Sequence, residues 1–198
     1  MQDNSEKSAG IPPQNTPGQK HWFREAIELV LLAILIVGPI RIFIINPFVV
    51  SGSSMVPTFK SGEYLVVDKI TYRFESPRRG DVIIFRYPKD PSKFFIKRIV
   101  GLPNESVVLN NGAVTIEKGG KKSLALDESY IKNKSSESVT YMLSENQYFV
   151  MGDNRISSSD SRVWGPLDRD LIVGRALLRL LPITEASVFP GRHTNDVQ

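Results

Sequence analysis

Three serines surround one glycine in the stretch VSGSSMVPT, residues 50–58 of a chain of 198 residues. A serine hydroxyl is a weak nucleophile until a neighbouring base takes its proton, so a reactive serine here needs a partner elsewhere in the chain. The same residues also suit a plain linker, because serine and glycine favour turns and Pro57 interrupts regular structure. The stretch therefore predicts either a nucleophile or a connecting turn, and the choice depends on the base.

The chain offers no well-placed histidine for that role. His21 lies ahead of a long apolar run, and His193 lies in a predicted loose tail. A Ser-His-Asp triad needs its histidine beside the nucleophile. The chain has no cysteine, which excludes thiolate nucleophiles, disulfides and cysteine-ligated metals. A serine hydrolase built from this sequence would need another base, and lysine is the known substitute.

Lys97 is the lysine in the most apolar setting, within FFIKRIVG at residues 94–101. Alternate side chains of a strand share a face, so Phe95, Lys97 and Ile99 should lie together. Loss of hydration favours the neutral amine and lowers its pKa from about 10.4, which would let it take a serine proton. The alternative is a lysine that blocks aggregation at a sheet edge.

A polar segment, GDNRISSSDSRVWG at residues 152–165, directly follows an apolar strand signal. A solvated turn is one explanation, because Asx and serine residues stabilise turns. A calcium loop fits poorly, because the acidic residues lack the EF-hand spacing and the terminal glutamate. The mixture of Asp153, Arg155, Asp160 and Arg162 with Trp164 could instead brace an active site by hydrogen bonds.

The serines follow an apolar run from Ala26 to Ile45. A helix of about 20 apolar residues spans the hydrocarbon layer of about 30 Å, so we predict a transmembrane helix over residues 25–46. Lys20 and Arg24 precede the run, which favours a cytoplasmic N-terminus and places the later residues outside the cytoplasm.

Two alternatives compete with an anchor. A buried core helix rarely needs so many consecutive apolar residues. A cleavable signal peptide is suggested by the small residues at 51–53, but the run exceeds the usual apolar core of about 7–15 residues. We predict four segments: a disordered cytoplasmic tail at 1–24, the transmembrane helix at 25–46, an extracytoplasmic β-rich domain at 47–190 and a loose C-terminal tail at 191–198.

Short segments rich in Val, Ile, Phe and Tyr recur after Pro47 between Gly, Pro, Asn and Asp punctuation, which is typical of strands. The fold class we predict is mainly β, an antiparallel β-sheet catalytic domain tethered by one N-terminal transmembrane helix. Residues 106–117 indicate a hairpin around Asn110-Asn111-Gly112, residues 118–138 a polar connector, and residues 171–181 either a strand or a short helix. The other strand signals lie at residues 64–70, 81–87, 94–101 and 147–152.

The net charge of +4 and the isoelectric point near 9.3 give little support to a nucleic-acid partner, because the basic residues are scattered. They are equally compatible with an anionic membrane surface.

The blocks SMVPT (54–58), GDVIIFRYP (80–88), FIKRIVGLP (95–103) and GDNRISSSDSRVWG (152–165), in this order behind an apolar run, resemble the bacterial type I signal peptidases, also called leader peptidases. The resemblance extends from about Pro47 to Gly174. It implies a Ser/Lys endopeptidase that removes signal peptides from exported proteins on the outer side of the membrane.

By position, the resemblance implies that Ser54 is the nucleophile and Lys97 the general base. Ser158 matches the serine that orients the lysine, and Asp160 with Arg162 matches the charged pair that supports the site. The segment from Gly152 through Asp153 and Asn154 to Arg155 matches the structural start of the same loop.

The backbone N–H of Ser54 is implied to donate to the oxyanion. Gly52 departs from the pattern, because some members carry there a serine that supplies a second oxyanion donor, and Ser53 or Ser51 could compensate. Ile156 stands at a position that is often polar in the family. The region 103–146 is short, so the large accessory β-domain of some members and their second membrane span are expected to be absent.

The resemblance further implies that the signal peptide binds as an added strand, with two shallow apolar pockets that select small residues at the first and third positions before the cut. The implied substrate-binding residues are Pro47, Phe48, Val49, Val50, Met55, Phe94, Phe95 and Ile96. No metal or cofactor is expected. The expected partners are preprotein signal peptides and the lipid bilayer, without nucleic acid, and the enzyme is expected to be monomeric.

The expected location is the cell membrane, or an internal system such as the thylakoid, with a single pass and the catalytic domain on the outer face. One alternative is a non-catalytic, membrane-tethered β-domain that serves as a binding module. Another is a Ser/Lys self-cleaving repressor, but that group carries a DNA-binding helical head instead of a membrane helix.

Overall fold

The structure, a computed structural model, describes residues 19–39, 45–119, 124–131, 133 and 135–193. The chain divides into two compact units, residues 1–39 and 40–198. In the first, helix α1 spans Gln19–Pro39 and therefore begins before the predicted boundary at residue 25. Arg24 Nε donates to Glu28 Oε1 one turn later, at 3.1 Å.

The predicted transmembrane helix at 25–46 overlaps α1, and its residues 40–44 lie outside the described residues. Within the described ranges, no helix is both long enough and apolar enough to cross a membrane. Residues 1–18 of the predicted tail also lie outside the described residues.

The second unit consists mainly of antiparallel strands, which confirms the predicted β class. Two short helices accompany them, α2 at Thr71–Phe74 and α3 at Ser161–Trp164. The strands are β1 Ile45–Val49, β2 Tyr64–Asp68, β3 Val82–Tyr87, β4 Asp90–Gly101, β5 Ser106–Asn110, β6 Ala113–Glu117, β7 Leu124–Ala125, β8 Val139–Met142, β9 Gln147–Met151, β10 Leu167–Asp168, β11 Ile172–Leu181 and β12 Ser187–Val188.

The strands form two sheets. The main sheet has the order β1-β2-β11-β3-β4-β9-β10, with β12 beside β11, and the small sheet has the order β7-β6-β5-β8. The small sheet is built from the chain between β4 and β9, so it occupies most of the region that was predicted to be short. Part of the predicted polar connector at 118–138 is therefore strand β7.

The predicted strands and the hairpin are confirmed. Strands β2, β3, β4 and β9 coincide with the four strand signals, and β5 pairs with β6 around Asn111 and Gly112. Both turn residues have positive φ, 48° and 81°, as a tight hairpin turn requires. Residues 172–181 form a strand rather than a helix, because β2 and β3 flank them and supply hydrogen-bond partners on both sides.

The alternation of side chains along β3 places apolar residues on both faces of the main sheet. Val82 and Ile84 pack in a cluster with Met55 and Phe59. Ile83, on the opposite face, belongs to a second cluster that includes Tyr72 and Leu167. A third cluster joins the sheets, with Val100, Phe149 and Met151 from the main sheet against residues of the small sheet.

Residues 191–193 differ from the expected loose tail. The backbone carbonyl of Gly191 accepts a hydrogen bond from the buried Arg98 side chain. The ring of His193 stacks on Tyr130 with 4.3 Å between centroids. These three residues are held because they supply partners to buried groups. Residues 194–198 of the predicted tail lie outside the described residues.

Candidate active site

Ser54 begins a tight turn whose other end is anchored in the core. The backbone N–H of Phe59 donates to the carbonyl of Met55 at 2.9 Å, and the N–H of Val56 donates to the carbonyl of Ser53 at 3.1 Å. Met55 and Phe59 are 1% and 0% exposed, so their side chains fix the turn on the main sheet. Ser54 itself is half-buried at the surface of this turn.

Lys97 lies within β4, between β3 and β9, and only 4% of it is exposed. Its Nζ is hydrogen-bonded to Ser54 Oγ at 2.8 Å and to the carbonyl of Ile96 at 2.8 Å. The same Nζ lies 5.4 Å from the centroid of the Phe95 ring, which agrees with the predicted shared face. The structure thus brings together the two residues whose chemistry the sequence linked.

Burial lowers the pKa of Lys97 to about 8. The charges of Asp160 and Asp153 act in the opposite direction, but the loss of hydration outweighs them. A substantial fraction of the amine is therefore neutral at mildly alkaline pH and can accept a proton.

Asp160 and Arg162 form the ion pair that the sequence suggested. Arg162 donates to both carboxylate oxygens of Asp160 at 2.8 Å, and the backbone N–H of Gly152 donates to the same carboxylate at 3.0 Å. Burial alone would raise the pKa of Asp160, but Arg162 and these hydrogen bonds hold it below its usual value. Asp160 also caps α3, so the loop and the helix are fixed together.

The loop is joined directly to the serine turn. The backbone N–H of Asn154 donates to the carbonyl of Ser54 at 2.9 Å, and its side-chain amide donates to the carbonyl of Ser53 at 3.2 Å. Among the hydrogen bonds of the described residues, none uses the backbone N–H of Ser54 or Gly52 as donor. These N–H groups are therefore free to donate to a substrate.

Ser158 does not contact Lys97 in the way that the resemblance implies. Lys97 is bonded to Ser54 and Ile96, and the Ser158 hydroxyl is buried without a hydrogen bond of normal geometry to any described residue. It lies near enough to Asp160 to contribute to the low pKa of that carboxyl group. A Cβ on Gly152 would stand 2.3 Å from Ser158 Oγ and 2.4 Å from the Ser54 carbonyl oxygen, so glycine permits this close packing.

A cavity of about 510 Å³ opens beside Ser54 and Lys97. Six of the eight predicted substrate-binding residues line it, while Pro47 and Met55 do not. Met55 is excluded because the turn directs its side chain into the core. Pro47 pairs with Val66 and is exposed away from the cavity lining. The lining residues are Phe48, Val49, Val50, Ser51, Gly52, Ser53, Ser54, Leu65, Ile84, Lys93, Phe94, Phe95, Ile96, Lys97, Ser157 and Ser159.

Sequence reasoning missed the buried ion pair between Arg98 and Asp153, each 1% exposed in its side chain. Arg98 Nε donates to Asp153 Oδ1 at 2.8 Å, and Thr58 Oγ1 donates to Oδ2 of the same carboxylate. The sequence contained one indication of this pair: Arg98 stands inside an apolar strand, where a buried charge needs a partner. Leu65 and Ile84, which line the cavity, were also missed because their strands were interpreted only as scaffold.

The described residues were also compared with the side-chain clusters that bind metal ions in proteins. Within the part of the chain that is described, no group of three or more His, Cys, Asp or Glu side chains could hold a metal ion. A serine hydroxyl beside a buried amine of depressed pKa, next to an apolar cleft, is instead the arrangement of a nucleophile and its base. The fold and the site are those of a mainly β domain in which a serine hydroxyl is hydrogen-bonded to a buried lysine, an arrangement that can support hydrolysis by a serine nucleophile.

The family described as signal peptidase, peptidase S26, matches residues 23–181, and the chain belongs to this family. A probable signal peptidase I-1 from Synechocystis sp. is 36% identical over 179 residues, which covers 85% of this chain and 89% of that protein. Signal peptidase IB from Staphylococcus aureus is 32% identical over 179 residues, covering 81% of this chain and 88% of that protein. A crystal structure of a signal peptidase I from Enterococcus faecalis V583 aligns at 27% identity with a TM-score of 0.43, covering 51% of this chain and 97% of that one.

Proposed function

We propose that this protein is a membrane-bound serine endopeptidase that cleaves N-terminal signal peptides from exported preproteins, with Ser54 as nucleophile and Lys97 as general base. The observation that carries the proposal is the 2.8 Å contact between Ser54 Oγ and the Nζ of a lysine that is 4% exposed. Membership of the signal peptidase family supports the same activity.

The substrate would bind as an extended strand between two free backbone edges. Within the described residues, strand β1 lies at one end of the main sheet and pairs with β2 alone. Residues 94–96 of β4 pair with β3 on one side, while β9 begins to pair with β4 only at Arg98. A peptide laid along these edges gains backbone hydrogen bonds, and its alternate side chains point into the apolar cavity.

In the reaction, neutral Lys97 takes the proton of Ser54 as Oγ attacks the carbonyl carbon before the cut. The backbone N–H of Ser54 donates to the resulting oxyanion, and a second donor comes from Gly52 or Ser53. Lys97 then gives the proton to the leaving amine. It next accepts a proton from the water that attacks the acyl-enzyme, and it returns this proton to Ser54 Oγ as the ester bond breaks and the signal peptide leaves.

The test is cleavage of a preprotein in detergent, with sequencing of the new N-terminus. Ser54→Ala and Lys97→Met should each nearly abolish cleavage, because general-base assistance is worth about 10²–10⁴-fold. Ser61→Ala and Lys89→Met are the matched controls, since both residues are exposed and stand outside the cavity. Normal cleavage by either active-site variant would overturn the roles proposed for Ser54 and Lys97, and failure of the wild type to cleave would favour a non-catalytic binding module.

Ser158 is proposed to keep Lys97 in place through the substrate-bound state, although its hydroxyl is unpaired here. Ser158→Ala should reduce kcat less than Lys97→Met does, because orientation is only part of the effect of the base. Ser61→Ala, which removes the hydroxyl of an exposed serine outside the cavity lining, is the control. Equal kcat in Ser158→Ala and wild type would exclude this role.

We further propose that residues 25–46 anchor the protein as a single span, with the N-terminus in the cytoplasm and the domain on the outer face. The apolar character of the run and the preceding Lys20 and Arg24 support this topology. The protein should stay in the membrane fraction after an alkaline wash, and protease added outside spheroplasts should digest the domain. Release by the wash would contradict the anchor.

A further inference from the structure

The last described residues turn back toward the serine turn. The turn follows β12, where the backbone N–H of Phe189 donates to the carbonyl of Leu177 at 2.7 Å. The Phe189 ring lies between two guanidinium groups, 5.0 Å from that of Arg175 and 5.5 Å from that of Arg192. This anchor fixes the direction in which residues 190–193, here called the closing segment, leave the sheet.

Two glycines allow the closing segment to approach unusually closely. Gly191 has a φ of +70°, and a Cβ there would stand 2.4 Å from Thr58 Cγ2 and 3.2 Å from Phe59 Cε2. Gly80 has a φ of +86°, and a Cβ there would stand 1.7 Å from the carbonyl oxygen of His193. Any larger residue at either position would force the closing segment away from the serine turn or from β3.

The closing segment completes the partners of a buried charge. The Arg98 guanidinium is bonded to Asp153 and donates from Nη1 to the carbonyls of Gly80, at 2.9 Å, and Gly191. The Tyr130 ring covers the same guanidinium with 4.3 Å between its centroid and Cζ. The His193 ring in turn stacks on the Tyr130 ring. Without the closing segment, one buried N–H would lose its acceptor.

Asp153, the carboxylate that pairs with Arg98, is hydrogen-bonded to the turn that carries Ser54. Asp153 accepts from Thr58, which ends the turn that begins at Ser54, and the next residue, Asn154, donates to the Ser54 carbonyl. The path therefore runs from the closing segment through Arg98 and Asp153 to both ends of the turn.

We infer that the closing segment positions Ser54 against Lys97 and so sets the turnover number without contacting substrate. It acts through the Gly191 carbonyl, which accepts a hydrogen bond from Arg98, and through the contact of Gly191 with Thr58. The inference rests on the proposed function. Gly191 and His193 are positioning residues: they contact the Arg98 support and stand outside the cavity lining.

The first experiment compares two shortened proteins with the full chain. Deletion of 191–198 should lower kcat about tenfold or more per folded molecule, because a displacement of about 1 Å in an active site can cost about 10²-fold. KM should change less than about twofold, because the cavity is untouched. Deletion of 194–198 keeps the closing segment and is the matched control, which should retain the full kcat.

Unchanged kcat in the 191–198 deletion would overturn the inference while leaving the proposed function intact. A loss of activity that follows only the folded fraction, measured by near-ultraviolet circular dichroism, would also overturn it. Failure of the full chain to cleave would overturn the proposed function and this inference with it.

A second variant covers the case in which the deletion does not fold. Gly191→Ala keeps the whole chain but places a methyl group against Thr58 Cγ2, so kcat should fall. Adding Thr58→Ser removes that Cγ2 and keeps the hydroxyl that donates to Asp153, so the double variant should recover part of the lost kcat, while the strain of alanine at a φ of +70° remains in both variants. Equal kcat in the single and double variants would show that the contact does not position the turn.

Discussion

Lys97 Nζ and Ser54 Oγ lie 2.8 Å apart, and the lysine is almost entirely withdrawn from water. The two facts depend on one another. The strand that buries Lys97 lowers the pKa of its amine, and the turn that holds Ser54 directs the hydroxyl to that amine. Proximity without burial would leave an ammonium that cannot accept the serine proton.

The activity should rise with pH as Lys97 loses its proton. Because the pKa of Lys97 is lowered to about 8, kcat/KM should increase through about pH 8 and level off above it. The measurement is the initial rate of preprotein cleavage across pH 6–10. A rise centred near the usual lysine value of about 10.4 would contradict the role of Lys97 as base.

Lys97→Met should be inactive but more stable than the wild type at neutral pH. The native state disfavours the charged amine, so below about pH 8 the wild-type fold carries a cost of about 3 kcal/mol that the variant lacks. Above pH 8 the unfolded chain holds more protons on this lysine, so the cost is relieved as pH rises toward about 10.4. Urea unfolding at pH 7 and pH 10 measures the free energy of unfolding of both proteins. The advantage of the variant over the wild type should be smaller at pH 10.

Lys89→Met is the control for that series, since the exposed Lys89 has no burial to relieve. An equal gain from both substitutions would mean that burial of Lys97 is not the cause. A Lys97→Met variant that is less stable at pH 7 would contradict the prediction outright.

The sequence predicted well what depends on local pattern. Alternation along β4 placed Lys97 with Phe95, and the hairpin signal at Asn111 and Gly112 matched the observed turn. The sequence did not predict contacts that depend on how distant segments meet. Arg98 and Asp153 pair across 55 positions, because β4 and β9 are neighbours in the main sheet.

Two expectations concern contacts that a sequence pattern does not show. The resemblance implies that Met55 contacts substrate, whereas in the structure its side chain is 1% exposed and packs in the core. Residues 191–193 were expected to be loose because they follow Pro190 and lack apolar side chains. Their contacts are made mainly by backbone carbonyls and a stacked ring, which a composition pattern does not reveal.

Asp160→Asn should destabilise the domain by about 3–5 kcal/mol, because it leaves the buried Arg162 charge without its main partner. The matched control is Glu137→Gln. Glu137 is the other carboxylate near Arg162, but its side chain is 51% exposed and the contact is longer, 3.4 Å. Its loss should change the free energy of unfolding by about 1 kcal/mol at most. Chemical denaturation of both variants measures the difference.

Asp160→Asn should also change the pH dependence of cleavage. The Asp160 charge raises the pKa of Lys97, so Asp160→Asn should move the rise of the pH–rate profile to lower pH. Residual activity in the folded fraction is enough for this measurement. A profile that moves to higher pH would show that Asp160 does not act on the lysine in this way.

Ile84→Ala should widen the substrates that the enzyme accepts. Ile84 is 2% exposed and lines the cavity beside Ser54, so removing its outer carbons enlarges the space that receives substrate side chains. The ratio of kcat/KM for a preprotein with a larger residue before the cut to that for one with alanine should rise about tenfold, since a buried methylene is worth about 1 kcal/mol or more.

The control for that series is the adjacent residue on the same strand. Ile83 is 0% exposed, packs on the face of the main sheet opposite to Ile84 and is not among the residues that line the cavity. It pairs with Lys97 across the strands, but an effect on the base acts on both preproteins alike and cancels in the ratio. Ile83→Ala should therefore lower stability by about 2–5 kcal/mol, as Ile84→Ala does, without changing the preference between the two preproteins. If both variants changed the preference equally, general loosening of the fold would be the cause. A change confined to Ile84→Ala would assign the selection of small side chains to the wall of this cavity.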